Sequence, residues 1–169
     1  MLDYTNIHEV GDNEVRYALT KQGTNPLIVI ALNPSVANEK ISDRTVDKIR
    51  TYCELWGFDS FIMLNLYPLR QTHADQLPRL FDETIHQINL RYIEQYTLNN
   101  YPILMAYGDN VRKYDYLSRC LNDIFSILSL NQSRAFYQLG NLTKKGNPRH
   151  PSRLAYNVEL QPFNFLSCK

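Results

Sequence analysis

The sequence predicts an α/β protein: a three-layer α/β/α sandwich around a central, mainly parallel sheet of about four strands. Three observations predict it. Four short runs, LIVIALN (Leu27 to Asn33), FIMLNLY (Phe61 to Tyr67), ILMAYG (Ile103 to Gly108) and AFYQLG (Ala135 to Gly140), are rich in β-branched or aromatic residues. They are almost continuously apolar instead of alternating, as strands covered on both faces must be. Segments with helical spacing lie between them, and strands alternating with helices imply right-handed crossovers between parallel strands.

The elements follow in order. Residues 1–25, with EVRYALTKQG beside a Gly11-Asp12-Asn13 turn, read as an added hairpin or edge strand. From Asp43, the segment DRTVDKIRTYCELWG sets Val46, Ile49, Cys53 and Trp56 at three- and four-residue intervals and stops at Gly57, which predicts a capped amphipathic helix. From Ala74 to Asn99, Leu77, Leu80, Phe81, Ile85, Ile88, Tyr92 and Tyr96 predict one long helix or two, interrupted near Pro78. Between Asn110 and Leu130, Tyr114, Leu117, Leu121, Ile124 and Leu128 repeat the pattern. One domain is expected over 1–169: a core at 26–154, the extension before it, and a C-terminal tail or added strand at 155–169.

Composition narrows the function. The chain has 169 residues, 44% hydrophobic, enough for one well-packed domain. Its 18 Lys and Arg nearly balance 17 Asp and Glu, so the net charge of +1 provides no global attraction to polyanions, and any nucleic-acid affinity must be local. Cys53, Cys120 and Cys168 are odd in number and widely spaced, which suits neither a disulfide framework nor a metal site. A signal pattern and a span of roughly 20 apolar residues are both lacking, so a cytoplasmic protein with no membrane partner is expected. The oligomeric state is left open. There is no Walker loop, GxGxxG, HExxH, CxxC or GxSxG, and no cofactor or metal is expected.

In an open α/β sheet, ligands bind beyond the carboxyl ends of the strands, which directs attention to the polar residues closing each apolar run. The first run ends in LNPSVA, where Asn33 precedes Pro34 and Ser35; proline biases the asparagine to an extended backbone, so its amide can be aimed. Asn65 sits inside an apolar run, where an unpaired amide costs about 1–3 kcal/mol, so it needs a partner from protein, water or ligand. Gly108 closes the third run. The fourth leads into GNPRHPSRL, whose Pro148 and Pro151 exclude a helix interior or central strand and stiffen the loop around His150. Lys144, Lys145, Arg149 and Arg153 crowd this histidine, a density that suits a phosphate-contacting loop or a solvated face. Asp43 and Thr45 suit a helix cap or a supporting position, as does Arg70 after the second run.

These segments carry a resemblance. LNPSVA, DRT, WGFDSFIMLNLYPLR, AYG and LGNLTKKGNPRHP occur in the same order in the domain-of-unknown-function 1643 family of bacteria and phages, from about Leu27 to Leu154. More distantly, the chain resembles the uracil-DNA glycosylase superfamily, which implies a four-stranded parallel sheet between helices. That resemblance gives Asn33 the water-positioning role, Asn65 the edge of a flipped base, and His150 the leaving base, with Pro151 and Ser152 at phosphate and Leu154 filling the gap in the duplex. Leu32 stands where the superfamily has glycine and Arg153 where it has a second proline.

The expected function is therefore glycosylase-type hydrolysis of an N-glycosidic bond, in DNA or in a nucleotide, as in DNA repair or phage defence. An oxocarbenium-like transition state asks only for a positioned water, a donor to the leaving base and fixed phosphates. The alternatives are a non-catalytic binder of a modified base, nucleotide or signalling nucleotide in the same pocket, and an interaction protein whose pocket is vestigial.

Overall fold

The computed structural model describes residues 1–130 and 134–164. Among them, seven strands form one sheet: β1 (Ile7–Gly11), β2 (Arg16–Lys21), β3 (Pro26–Ala31), β4 (Ser60–Asn65), β5 (Ile103–Met105), β6 (Phe136–Leu139) and β7 (Leu160–Pro162). Their order is β1-β2-β4-β3-β5-β6-β7. The four apolar runs become β4, β3, β5 and β6, which pair in parallel. The sheet is nevertheless larger than the expected four strands and is mixed, because β1 pairs with β2, β2 with β4 and β6 with β7 in antiparallel fashion. The flanking strands are half-polar and cover edges that the parallel strands would otherwise expose.

Helices lie against both faces, as the fully buried β3 requires. Leu27, Val29 and Ala31 of β3 point to one face and pack with Val46, Ile49, Tyr52 and Cys53 of α1 (Arg44–Leu55). Ile28 and Ile30 point to the other and share a core with Ile93 of α2 (Glu83–Tyr96) and Leu117, Ile124 and Leu128 of α3 (Asp115–Leu128). Each of the buried Leu, Ile and Val side chains contributes about 1.5–3 kcal/mol by leaving water.

The helix ends follow local chemistry. Asp43 caps α1 by accepting from the Thr45 and Val46 amides, both at 2.9 Å. At the other end Gly57, at φ 78°, adopts the left-handed conformation while the Phe58 amide returns to the Cys53 carbonyl at 2.8 Å. The stretch around Pro78 splits as its proline demands, into a 3₁₀ turn over Ala74–Gln76 and α2, capped by Asp82. No helix of the described residues is long and apolar enough to cross a membrane. Cys53 and Cys120 are buried, and burial pushes both thiols up to about 12; Cys168 lies outside the described residues.

Candidate functional site

At the carboxyl ends of β3, β4, β5 and β6 the chain encloses a cavity of about 800 Å³. Its walls come from Arg16 on β2, the segment after β3, the end of β4, residues 71–75, the turn after β5, the start of α1 and the long loop after β6.

The segment after β3 is tied down from behind. Nδ2 of Asn33 donates to the Gln71 carbonyl at 2.7 Å and to the Pro34 carbonyl at 3.0 Å, so half of this amide is committed to the loop. Arg16, on β2, donates through Nη1 to the Ala37 carbonyl at 2.7 Å, and Arg70 reaches the same carbonyl at 3.0 Å and that of Ser35 at 3.1 Å. Arg70 also pairs with Glu9. Two guanidinium groups thus fix one short loop.

Asn65 closes β4 directly beside Ala31 of β3. It is fully buried and lines the cavity, and neither its Nδ2 nor its Oδ1 has a hydrogen-bond partner among the described residues. Its backbone carbonyl is held from the opposite side by Nδ2 of Asn89, at 2.9 Å. The strand end is rigid, and the amide it presents is unspent.

Beyond β5, Gly108 takes φ 71° and ψ −176°, a conformation that essentially only glycine adopts, and a Cβ there would lie 3.0 Å from Cβ of His150. Its amide donates to the Pro148 carbonyl at 3.0 Å, which joins the β5 end to the histidine loop. Asp109 shapes that loop by accepting from Oγ1 of Thr143 at 2.6 Å and Nδ2 of Asn147 at 2.8 Å, bonds that lower its carboxyl pKa.

His150 begins a 3₁₀ turn over Pro151–Arg153. Its Nδ1 lies 2.9 Å from Oγ of Ser152 and 3.4 Å from the Ser152 amide. An amide can only donate, so Nδ1 carries the lone pair and the neutral ring holds its proton on Nε2. Desolvation pushes the histidine down to about 4, with Arg153 adding to the effect and Asp43 opposing it. The ring is neutral at pH 7, with one N–H to give.

Of the residues singled out in the sequence, Asn33, Ser35, Asp43, Thr45, Asn65, Gly108, Arg149, His150, Ser152, Arg153 and Leu154 line the cavity. Pro34 and Pro151 are buried behind it as stiffeners, and Arg70 acts through the loop it ties. Lys144 and Lys145 are exposed and lie outside the wall. Leu154 is half-buried, packed on the core beneath α1. Sequence reasoning missed Arg16, Tyr107, Asn89 and Asp109. Among the described residues Tyr107 supplies the one phenyl-type ring on the cavity wall. AYG was visible as a strand end, but Arg16 lay in a segment that offered only an edge strand.

No curated protein and no solved structure matches the chain. The family described as "protein of unknown function (DUF1643)" matches residues 16–152, a span that runs from Arg16 on the cavity wall through Asn65 to His150 and Ser152. The match covers most of the 169 residues, and the chain belongs to the DUF1643 family.

Proposed function

We propose that the cavity captures a nucleobase and that the protein is a glycosylase-type hydrolase, cleaving an N-glycosidic bond in DNA or in a nucleotide. One observation carries this reading: Asn65, fully buried on the cavity wall, has both amide atoms unpartnered among the described residues. An unmet buried amide costs about 1–3 kcal/mol, so the fold holds a donor and an acceptor in readiness for a ligand that offers both. The hydrogen-bonding edge of a base does, and a base drawn out of its stack is read along that edge.

The neighbouring groups fit the same chemistry. As the glycosidic bond breaks, negative charge grows on the leaving base; Nε2–H of neutral His150 offers a donor to such charge without needing to lose its proton. Asn33, whose Nδ2 is committed to the Gln71 carbonyl, retains Oδ1 to orient a water molecule. An amide is a weak base, so slow chemistry is expected, as suits a selective repair or phage-defence enzyme. Four parallel strands with helices on both faces also accord with a three-layer, uracil-DNA glycosylase-like sandwich.

Mass spectrometry of free bases, after incubation with host DNA, modified phage DNA and a mixed nucleotide pool, tests this reading. Wild-type protein should release one base, and Asn33→Ala or His150→Ala should slow release about 100-fold or more. No release from any pool, or release indifferent to both substitutions, overturns it.

The commitment of the Asn33 amide to the loop favours a second reading, in which the same pocket binds a modified base or nucleotide without cleaving it. Saturable binding with the ligand recovered intact distinguishes the two.

A further inference from the structure

We propose that the ligand of this cavity carries a terminal phosphate held by Arg16, so that the substrate is a free nucleotide and not a base within a DNA duplex. This rests on reading the cavity as a base site. Arg16 is 2% exposed, yet its side chain forms part of the cavity wall. Among the described residues its side chain makes one hydrogen bond, from Nη1 to the Ala37 carbonyl, while Nε has no partner. Among the described residues no carboxylate lies within ion-pair distance of it.

Arg134, also buried, bonds the Thr97 carbonyl and has an unpartnered Nε among the described residues, and Lys48 lies over the Tyr156 ring, but neither lines the cavity. Buried Lys21 and Arg50 and half-buried Arg70 pair with Asp3, Asp47 and Glu9. Arg16 has instead a second guanidinium beside it, since Arg70 bonds the same Ala37 carbonyl. Burial, then Arg70, push its pKa down to about 10, still a full cation at pH 7, with Asp43 and Glu9 pulling the other way. A buried charge without a partner is costly, and a planar guanidinium takes a phosphate or carboxylate through paired N–H bonds.

Position sets the ligand class. The Arg16 amide donates to the Pro68 carbonyl at 2.9 Å, which puts this residue beside the outgoing end of the strand that presents Asn65. Base reader and cation thus line one cavity, whose roughly 800 Å³ suits a mononucleotide. A duplex phosphodiester is flanked by sugars and stays at the surface, within reach of exposed Arg149 and Arg153 but not of a guanidinium so deeply buried. The near-neutral chain adds no general attraction for duplex either.

Titration calorimetry with the 2′-deoxynucleoside 5′-monophosphates of A, C, G, T and U, the matching nucleosides and a short blunt duplex tests the inference. One monophosphate should bind wild-type protein about tenfold or more tighter than its nucleoside. Arg16→Gln should erase that difference, Arg16→Lys should restore part of it, and Asn65→Ala should weaken nucleoside and nucleotide alike. Equal affinity for nucleoside and monophosphate overturns the phosphate role while the base site stands, as does binding of duplex without monophosphate. Binding of none of the three probes overturns both readings together. Where Arg16→Gln fails to fold, the wild-type comparison of nucleoside with monophosphate decides alone.

Discussion

Two asparagine–histidine pairs, one on each face of the sheet, are put to opposite uses. On the α2 and α3 side, His86 and Asn89 are fully buried; Nε2 of His86 bonds the Asp123 carboxylate at 2.9 Å, and Nδ2 of Asn89 holds the Asn65 and Leu66 carbonyls. On the α1 side, Asn65 and His150 both line a cavity, and among the described residues the Asn65 amide is unspent and His150 has no carboxylate ion pair. His86 and Asn89 each retain one unpartnered atom, but neither residue lines the cavity. Burial of a polar side chain therefore says little about its role; what separates scaffold from site is whether the unspent atom faces space that a ligand can fill. The two pairs are linked, because the scaffold asparagine grips the backbone of the reading one.

The contrast can be broken by substitution. His150→Ala should lower base release about 100- to 1000-fold with little change in unfolding midpoint. His86→Ala should do the reverse, losing about 2–4 kcal/mol in denaturant unfolding through its emptied core position while release per folded molecule is kept. If both variants lose activity in step with stability, the distinction between the faces fails.

A pH series sharpens it. His150 has a folded pKa of about 4 against an ordinary value near 6.5, so the unfolded chain takes up the proton first. The resulting stability is fully present above about pH 6.5 and is lost as pH falls through 4, by up to about 3 kcal/mol. Urea unfolding at pH 7 and pH 4 should show a smaller loss in His150→Ala than in wild type; equal losses contradict the desolvated histidine. Gly108→Ala should cost about 1–3 kcal/mol, because its backbone suits glycine alone and the new Cβ would press on His150. Base release should fall with it as the ring is displaced. Lys144→Ala and Lys145→Ala, outside the cavity, should change stability by no more than about 0.5 kcal/mol and leave release unchanged.

What the sequence discloses follows from how local the determinants are. Continuous apolar runs expose the strands buried on both faces, Asp43 and Gly57 mark the ends of α1, and an amide within FIMLNLY singles out Asn65 before any partner is known. His150 is legible because two prolines frame it. The flanking strands are less so: β2 mixes polar and apolar residues, and nothing in RYALTK states that it lies against β4. Arg16 escapes for the same reason, since its burial depends on a loop more than twenty residues later, the Ala37 carbonyl it bonds. The cluster from Lys144 to Arg153 misleads in the opposite direction, because nearness in sequence does not make side chains share a surface: Arg149 and Arg153 face the cavity and the two lysines do not.

Unfolding of Asn65→Leu, measured beside Asn89→Leu, tests most directly whether the β4 amide is kept for a ligand. Replacing an unpartnered buried amide by an apolar side chain of similar size should raise stability by about 1 kcal/mol or more and abolish base release, whereas Asn89→Leu should lower stability by about 1–3 kcal/mol as two carbonyls lose their donor. Loss of stability in Asn65→Leu with release retained would make Asn65 part of the scaffold and contradict the site.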